Sequence, residues 1–131
     1  MKRRVIAPRS IFKAEEWGFS QGIRIEGGKD ILFISGQLAA VKKGKFTGGS
    51  FREQCKGALD GIGAVLKDAG ATKKNVVKIT GYVTDMDGSI EEFVRQTKEY
   101  FSGGYPASTL VQVSRLAFPG QLVEIEAIAV W

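Results

Sequence analysis

The chain has 131 residues and no histidine, with one cysteine, three prolines and two methionines among them. Without histidine there can be no Ser-His-Asp triad, no Cys-His pair and no HExxH zinc site. A metal would have to be held by carboxylates alone, and no loop has calcium-type spacing. The single Cys55 cannot close an internal disulfide, which suits a reducing cytoplasm. No apolar run approaches the roughly 18–20 residues needed to cross a bilayer. The basic start, Lys2-Arg3-Arg4, leads into Pro8-Arg9-Ser10 rather than the apolar core of a secretory signal. What remains for chemistry is carboxylates, hydroxyls, backbone dipoles, lysine and arginine.

The composition that is present is ordinary for a soluble globular protein, 44% apolar and 25% charged. At this length a single domain over residues 1–131 with a substantial core is expected. The net charge of +5 is moderate. Lys42, Lys43 and Lys45 cluster with glycines over 42–49, read as a loop. No aromatic residue interleaves with these lysines to stack bases, so nucleic acid is not the favoured partner. A dinucleotide fingerprint fails as well: Gly61-Ile62-Gly63 lies inside a helical pattern and lacks the third glycine.

Strands are expected near 4–7, 20–26 and 31–37, with Gly27-Gly28-Lys29-Asp30 as a hairpin turn between the last two. Ser50-Phe51-Arg52-Glu53 forms a capping box. Behind it Cys55, Ala58, Leu59, Ile62, Val65, Leu66 and Ala69 make one stripe at helical spacing, and Gly70 stops the helix. Gly57 and Gly61 weaken that helix unless they allow close packing on a sheet. Residues 76–83 are β-branched and strand-like. Asp85-Met86-Asp87-Gly88 reads as a turn and Ser89 as the cap of a second helix, with Ile90, Phe93, Val94, Thr97 and Phe101 on its buried side. Two strands follow Pro106, over about 107–114 and 121–131.

The order β-β-β-α-β-α-β-β predicts an α+β fold: a six-stranded mixed sheet with two helices on one face. The other face is not purely polar. In the last strand Glu124 and Glu126 share a side with Ile128 and Val130, while Val123, Ile125, Ala127 and Ala129 form the apolar side. Lys78, Thr80 and Tyr82 line one side of the middle strand. A mixed face of this kind fits contact with a second subunit around a wet cavity, so a homo-oligomer with its site at the subunit boundary is expected.

Glu124 and Glu126 project together from one side of a strand, and two close carboxylates can shift a proton affinity toward neutral pH. The alternative is simple exposure, or pairing with Lys78 or Arg115. Ser35-Gly36-Gln37 ends a strand with two hydrogen-bonding side chains and a glycine that lets a ligand reach the backbone; a bulge would explain it equally. Trp17, Phe19, Tyr100 and Tyr105 are candidate pocket walls, with core packing as the alternative.

Taken in order, Phe19-Ser20-Gln21-Gly22, Ile34-Ser35-Gly36-Gln37, Gln54, Val65 to Ala71, Asn75 to Lys78, Val83-Thr84-Asp85-Met86, Tyr105-Pro106-Ala107 and Val123 to Ala129 resemble the YjgF/RidA family of enamine/imine deaminases. The resemblance runs through nearly the whole chain. It implies a chorismate-mutase-like fold, a homotrimer with clefts between subunits, and no metal or organic cofactor. Active members hydrolyse imino acids or 2-aminoacrylate-type intermediates to 2-oxo acids and ammonia.

In those members an arginine after the Pro-Ala pair clamps the substrate carboxylate through two charge-assisted hydrogen bonds. That position is Ser108 here, and the tyrosine of the N-terminal motif is Phe19. The resemblance further assigns Glu124 to the attacking water, backbone near Leu110 to the ligand carboxylate, and Gly36 to the cleft lining, with Ser35 beside it. Arg115 falls on the wrong side of its strand to replace the clamp. Three functions therefore stand open: a deaminase of an arginine-lacking branch acting on a small imine or enamine, a non-catalytic ligand-binding or regulatory trimer, and an endoribonuclease or translation inhibitor. The last lacks the histidine acid–base pair usual for RNA cleavage.

Overall fold

The structure is a computed structural model and describes residues 1–10, 12–39, 41–42, 45–46 and 48–131, with nothing said of the side chains of Val41 and Lys42. Strands β1 (Lys2–Ile6), β2 (Gly22–Glu26) and β3 (Ile31–Gln37) are followed by the short β4 (Val41–Lys42) and β5 (Lys45–Phe46). Helix α1 (Phe51–Asp68), β6 (Val76–Val83), α2 (Met86–Phe101), β7 (Ala107–Gln112) and β8 (Val123–Val130) complete the order. Single 3-10 turns occupy Ala14–Trp17 and Lys73–Asn75. No helix among the described residues is long and apolar enough to cross a membrane.

The sheet differs from the expected six strands. Four strands, ordered β3-β8-β6-β7, form the main sheet; β1-β2 and β4-β5 are separate antiparallel ribbons. Only β6 and β7 run parallel in the main sheet, as the crossover through α2 requires. The β1-β2 ribbon meets the β7 edge through one bridge between Ser20 and Ala107, where Ser20 donates to the Pro106 carbonyl at 2.8 Å. Pro106 has no N–H to give in return, so the ladder gains no donor there. The Arg3 guanidinium closes the gap instead, donating to the carbonyls of Lys74, Gly104 and Tyr105. One cation of the basic N-terminus is thus spent on structure. Within 42–49, Lys42, Lys45 and Phe46 belong to the β4-β5 ribbon, while Lys43, Gly44 and Thr47 lie outside the described residues.

The expected β2-β3 hairpin is also absent, because β2 pairs with β1 and β3 with β8. The glycines serve passage rather than a tight reversal. A Cβ on Gly28 would stand 2.5 Å from Val130 Cγ1, and Lys29 and Asp30 donate to the Trp131 carbonyl. The chain slides past the end of β8 and enters the sheet at its far edge.

Helix α1 starts at Ser50 as expected, with Glu53 N–H donating to Ser50 Oγ, but only half of the capping box forms: the Glu53 carboxylate takes the Ser50 hydroxyl, not the Ser50 backbone N–H. Its stripe is buried at Cys55, Ala58, Leu59, Ile62 and Leu66, against Val123, Ile125, Ala127 and Ala129 of β8. Gly57 packs against Ala39, where any Cβ would collide with that residue's own, and Gly61 sits on the Gln37 side chain. Close approach to the β3 end therefore offsets their low helix propensity. Buried Gln54 donates to the Gly49 and Gly120 carbonyls and accepts from Leu122 N–H, tying α1 to the entry of β8.

Helix α2 begins earlier than expected. Asp85, not Ser89, is the cap: its carboxylate accepts from Gly88 N–H, and Met86 N–H donates to the Gln112 side chain. Ser89 is buried inside the first turns. Between the helices Glu92 is bound by Arg95 and Gln96, while Gln96 also donates to the Arg52 carbonyl of α1. The Arg95 hydrogen bonds hold the Glu92 carboxyl down at about 2, against burial.

Ile125→Ala should cost about 2–5 kcal/mol and Gly57→Ala about 1–3 kcal/mol in urea unfolding, one by a cavity and the other by overpacking. A folded carboxyl held low contributes stability above its ordinary value and loses it as pH falls. Glu92→Gln should therefore flatten the acid limb of stability between pH about 4.5 and about 2, measured by the unfolding midpoint across that window.

Candidate functional site

Strand alternation divides the candidate residues. On β8, Val123, Ile125, Ala127 and Ala129 are buried beneath the helices, and Glu124 and Glu126 point to the uncovered face. Register pairs Tyr82 with Glu124 and Thr80 with Glu126. Parallel β7 places Ser108 beside Ile79 and Leu110 beside Gly81, both of which lie on the helix side. Ser108 and Leu110 therefore lie on the opposite side of the sheet from Glu124.

On the uncovered face Glu124 lies directly over Gly36. A Cβ at Gly36 would come within 2.6 Å of Glu124 Cδ and 3.0 Å of its Oε1. The glycine is required by that contact, and the β3 bulge between Ile34 and Gln37 produces it. Ser35 is exposed beside it, but the bulge turns Gln37 toward Gly61 of α1, so strand alternation does not bring the two polar side chains to one face.

The two glutamates have different partners. Tyr82 OH donates to Glu126, and that hydrogen bond, with burial and the charges of Glu126 and Glu124, raises the phenol above its ordinary range. Lys78 donates to Thr109 Oγ1 at 2.7 Å; burial lowers its affinity for a proton and Glu126 opposes that. Among the described residues no side chain hydrogen-bonds or ion-pairs with Glu124. Arg115 donates to the neighbouring Leu116 carbonyl and lines a different cavity, with Leu116, Phe118 and Leu122. Exposed Phe33 and Ile31 lie alongside Ile128 and Val130 on this face, Phe33 with 74% of its surface open.

On the helix side a cavity of about 520 Å³ is bounded by Phe19, Ser108 and Leu110, with Phe12, Trp17, Ile90, Phe93 and Val94. Phe19 meets Phe12 edge to face with ring centroids 6.0 Å apart. Gly18, at φ 80°, makes the turn that sets Trp17 and Phe19 at the cavity wall. Tyr100 and Tyr105 are not part of it: Tyr100 packs edge-on against Phe101 beneath Lys73, and Tyr105 packs on the core. Phe12, Ile90 and Val94 were not anticipated as cavity residues; a helix position such as Ile90, apolar yet next to the acidic Glu91 and Glu92, is the sequence signal.

The match to the family described as endoribonuclease L-PSP covers residues 13–131. The chain is 38% identical over 115 residues to the 2-iminobutanoate/2-iminopropanoate deaminase of Mus musculus, covering 86% of this chain and 80% of that one. A Yersinia pestis protein of the conserved Rid family, described as of unknown function, superposes with TM-score 0.90 at 32% identity, over 100% of both chains. E. coli TdcF with bound serine superposes with TM-score 0.65 at 30% identity, over 86% of this chain and 87% of that one.

Because Glu126 is the partner that raises Tyr82, the phenol should titrate above the usual tyrosine range and Glu126→Gln should bring it down. Ultraviolet difference titration of both proteins checks this. An unchanged titration would remove the Tyr82–Glu126 bond from the site.

Proposed function

The chain belongs to the endoribonuclease L-PSP family, also known as YjgF/RidA, and from that premise we propose that it is a hydrolytic deaminase of enamine or imine metabolites, working in clefts between the subunits of a homotrimer. The observation that carries this reading is the Glu124 carboxylate seated over Gly36 with no partner among the described residues, while Glu126 is engaged by Tyr82. Glu124 accepts a proton from water, water oxygen bonds to the imine carbon, and the C=N bond becomes a single bond as nitrogen is protonated. Collapse of the carbinolamine breaks the C–N bond, giving a carbonyl compound and ammonia. The balance is one imine plus one water, with no oxidant and no cofactor.

Ser108, Leu110 and Phe19 form the other wall in this proposal. They lie across the sheet from Glu124, so one subunit's Gly36–Glu124 face must meet the next subunit's apolar cavity. The exposed Phe33 and Ile31 beside Ile128 supply apolar surface for that contact. A cytoplasmic setting belongs to the same reading. A second reading, a ligand-binding trimer without turnover, is favoured by one feature: Ser108 provides no cation to grip a carboxylate. RNA cleavage draws no support from a chain lacking histidine.

Glu124→Gln should lower ammonia release from imines generated in situ by about 100-fold or more, as loss of a positioned base does, with unchanged unfolding. Phe33→Asp should shift the sedimentation profile from trimer toward monomer. Wild-type protein inert on every imine would leave the ligand-binding reading.

A further inference from the structure

We propose that the cavity at Ser108 selects uncharged, apolar imines, with an aryl or branched alkyl body, over imines bearing a carboxylate. This inference rests on the deaminase reading for its chemistry, and on the cavity alone for its selectivity.

The cavity walls are Phe12, Trp17, Phe19, Ile90, Phe93 and Val94, and among the described residues no charged side chain lines it. Its two side-chain hydroxyls are not equivalent. Thr97 Oγ1 donates to the Phe93 and Val94 carbonyls of its own helix, at 3.0 and 3.1 Å. The Ser108 hydroxyl has no hydrogen-bond partner among the described residues, so it can donate to one ligand nitrogen or oxygen. One neutral donor on an apolar wall suits an imine or carbonyl group. It does not suit a carboxylate, whose transfer to an apolar wall without a cationic partner is strongly unfavourable.

The surroundings strengthen the bias. A second cavity of about 400 Å³ shares Trp17, Ile90 and Val94 with the first, and its other lining residues are Glu16 and Glu91. The Glu16 and Glu91 carboxylates repel an anionic ligand and tolerate a neutral or cationic tail, while the stem of Lys98 packs against Gly18 of the first cavity. Trp17 and Phe12 are 54% and 61% exposed, flat apolar surface that a bound ring would cover. A volume of about 520 Å³ exceeds what a three- or four-carbon imino acid fills and falls in the range of larger organic ligands.

Acetophenone and phenylpyruvate carry the same ring, and only the second carries a carboxylate. Titration of the assembled protein, followed by Trp17 fluorescence and assigned with Trp17→Phe, should show acetophenone binding at least about tenfold more tightly, the scale of one charged hydrogen bond. Ser108→Arg should reverse that order, and Val94→Trp should fill the cavity and abolish binding of both in protein of unchanged circular dichroism. Equal or tighter binding of phenylpyruvate to wild type, or acetophenone binding untouched by Val94→Trp, overturns the proposal. A turnover arm separates the two claims, using imines of α-methylbenzylamine and of phenylalanine released by amine and amino-acid oxidases. Hydrolysis of the carboxylate imine alone sinks the cavity's selectivity and leaves a deaminase. Tight acetophenone binding with no hydrolysis of either imine sinks the deaminase and leaves the neutral cavity.

Discussion

The two-residue period of β8 is the constraint on which the rest of the molecule depends. One set of side chains, Val123, Ile125, Ala127 and Ala129, is buried under α1 and closes the core; the alternate set puts Glu124 and Glu126 on the other face. A shift of one residue would expose the core and bury two carboxylates, so folding and carboxylate placement are enforced together. The Gln54 side chain reinforces this register from outside the strand, because its amide holds the carbonyl of Gly120 and the N–H of Leu122 immediately before β8 begins.

The same period puts the proposed site residues of one chain on two faces of the sheet. Gly36 and Glu124 meet on the uncovered face, whereas Phe19, Ser108 and Leu110 surround a cavity behind the sheet. A sheet is a barrier that no side chain crosses. In the trimeric arrangement proposed here, an outward face and a lateral cavity of neighbouring copies become one cleft, and assembly itself becomes a condition for chemistry. In that proposed cleft the division of labour between the glutamates follows from hydrogen bonding: Tyr82 occupies Glu126, and Glu124 has no partner among the described residues.

Much of this was legible in the sequence where one local period or one cap decides the outcome. The α1 stripe, its Ser50 cap and the two-sided β6 and β8 are of that kind. Asp85-Met86-Asp87-Gly88 misleads because a turn and a helix cap use the same residues; the choice of helix rests on Asp85 reaching Gly88 N–H and on Gln112, far along the chain, meeting Met86. Gly27-Gly28 misleads for the opposite reason, since a local hairpin signal yields to pairing of β3 with β8 about a hundred residues away. The Gly36–Glu124 contact and the aromatic cavity are tertiary, and no spacing in the chain encodes them directly. Motif resemblance named Gly36, Glu124, Phe19, Ser108 and Leu110 without showing that the sheet separates them, and it named none of Phe12, Ile90 and Val94.

Mixed assemblies test the shared site most directly. Glu124→Gln and Val94→Trp, each inactive alone, are co-refolded in equal amounts, and mixing is verified by native mass spectrometry. If each cleft draws Glu124 from one subunit and the cavity from its neighbour, about a quarter of the clefts regain both parts and ammonia release returns to about a quarter of the wild-type rate. Verified mixed trimers that stay as inactive as the parents would contradict the account.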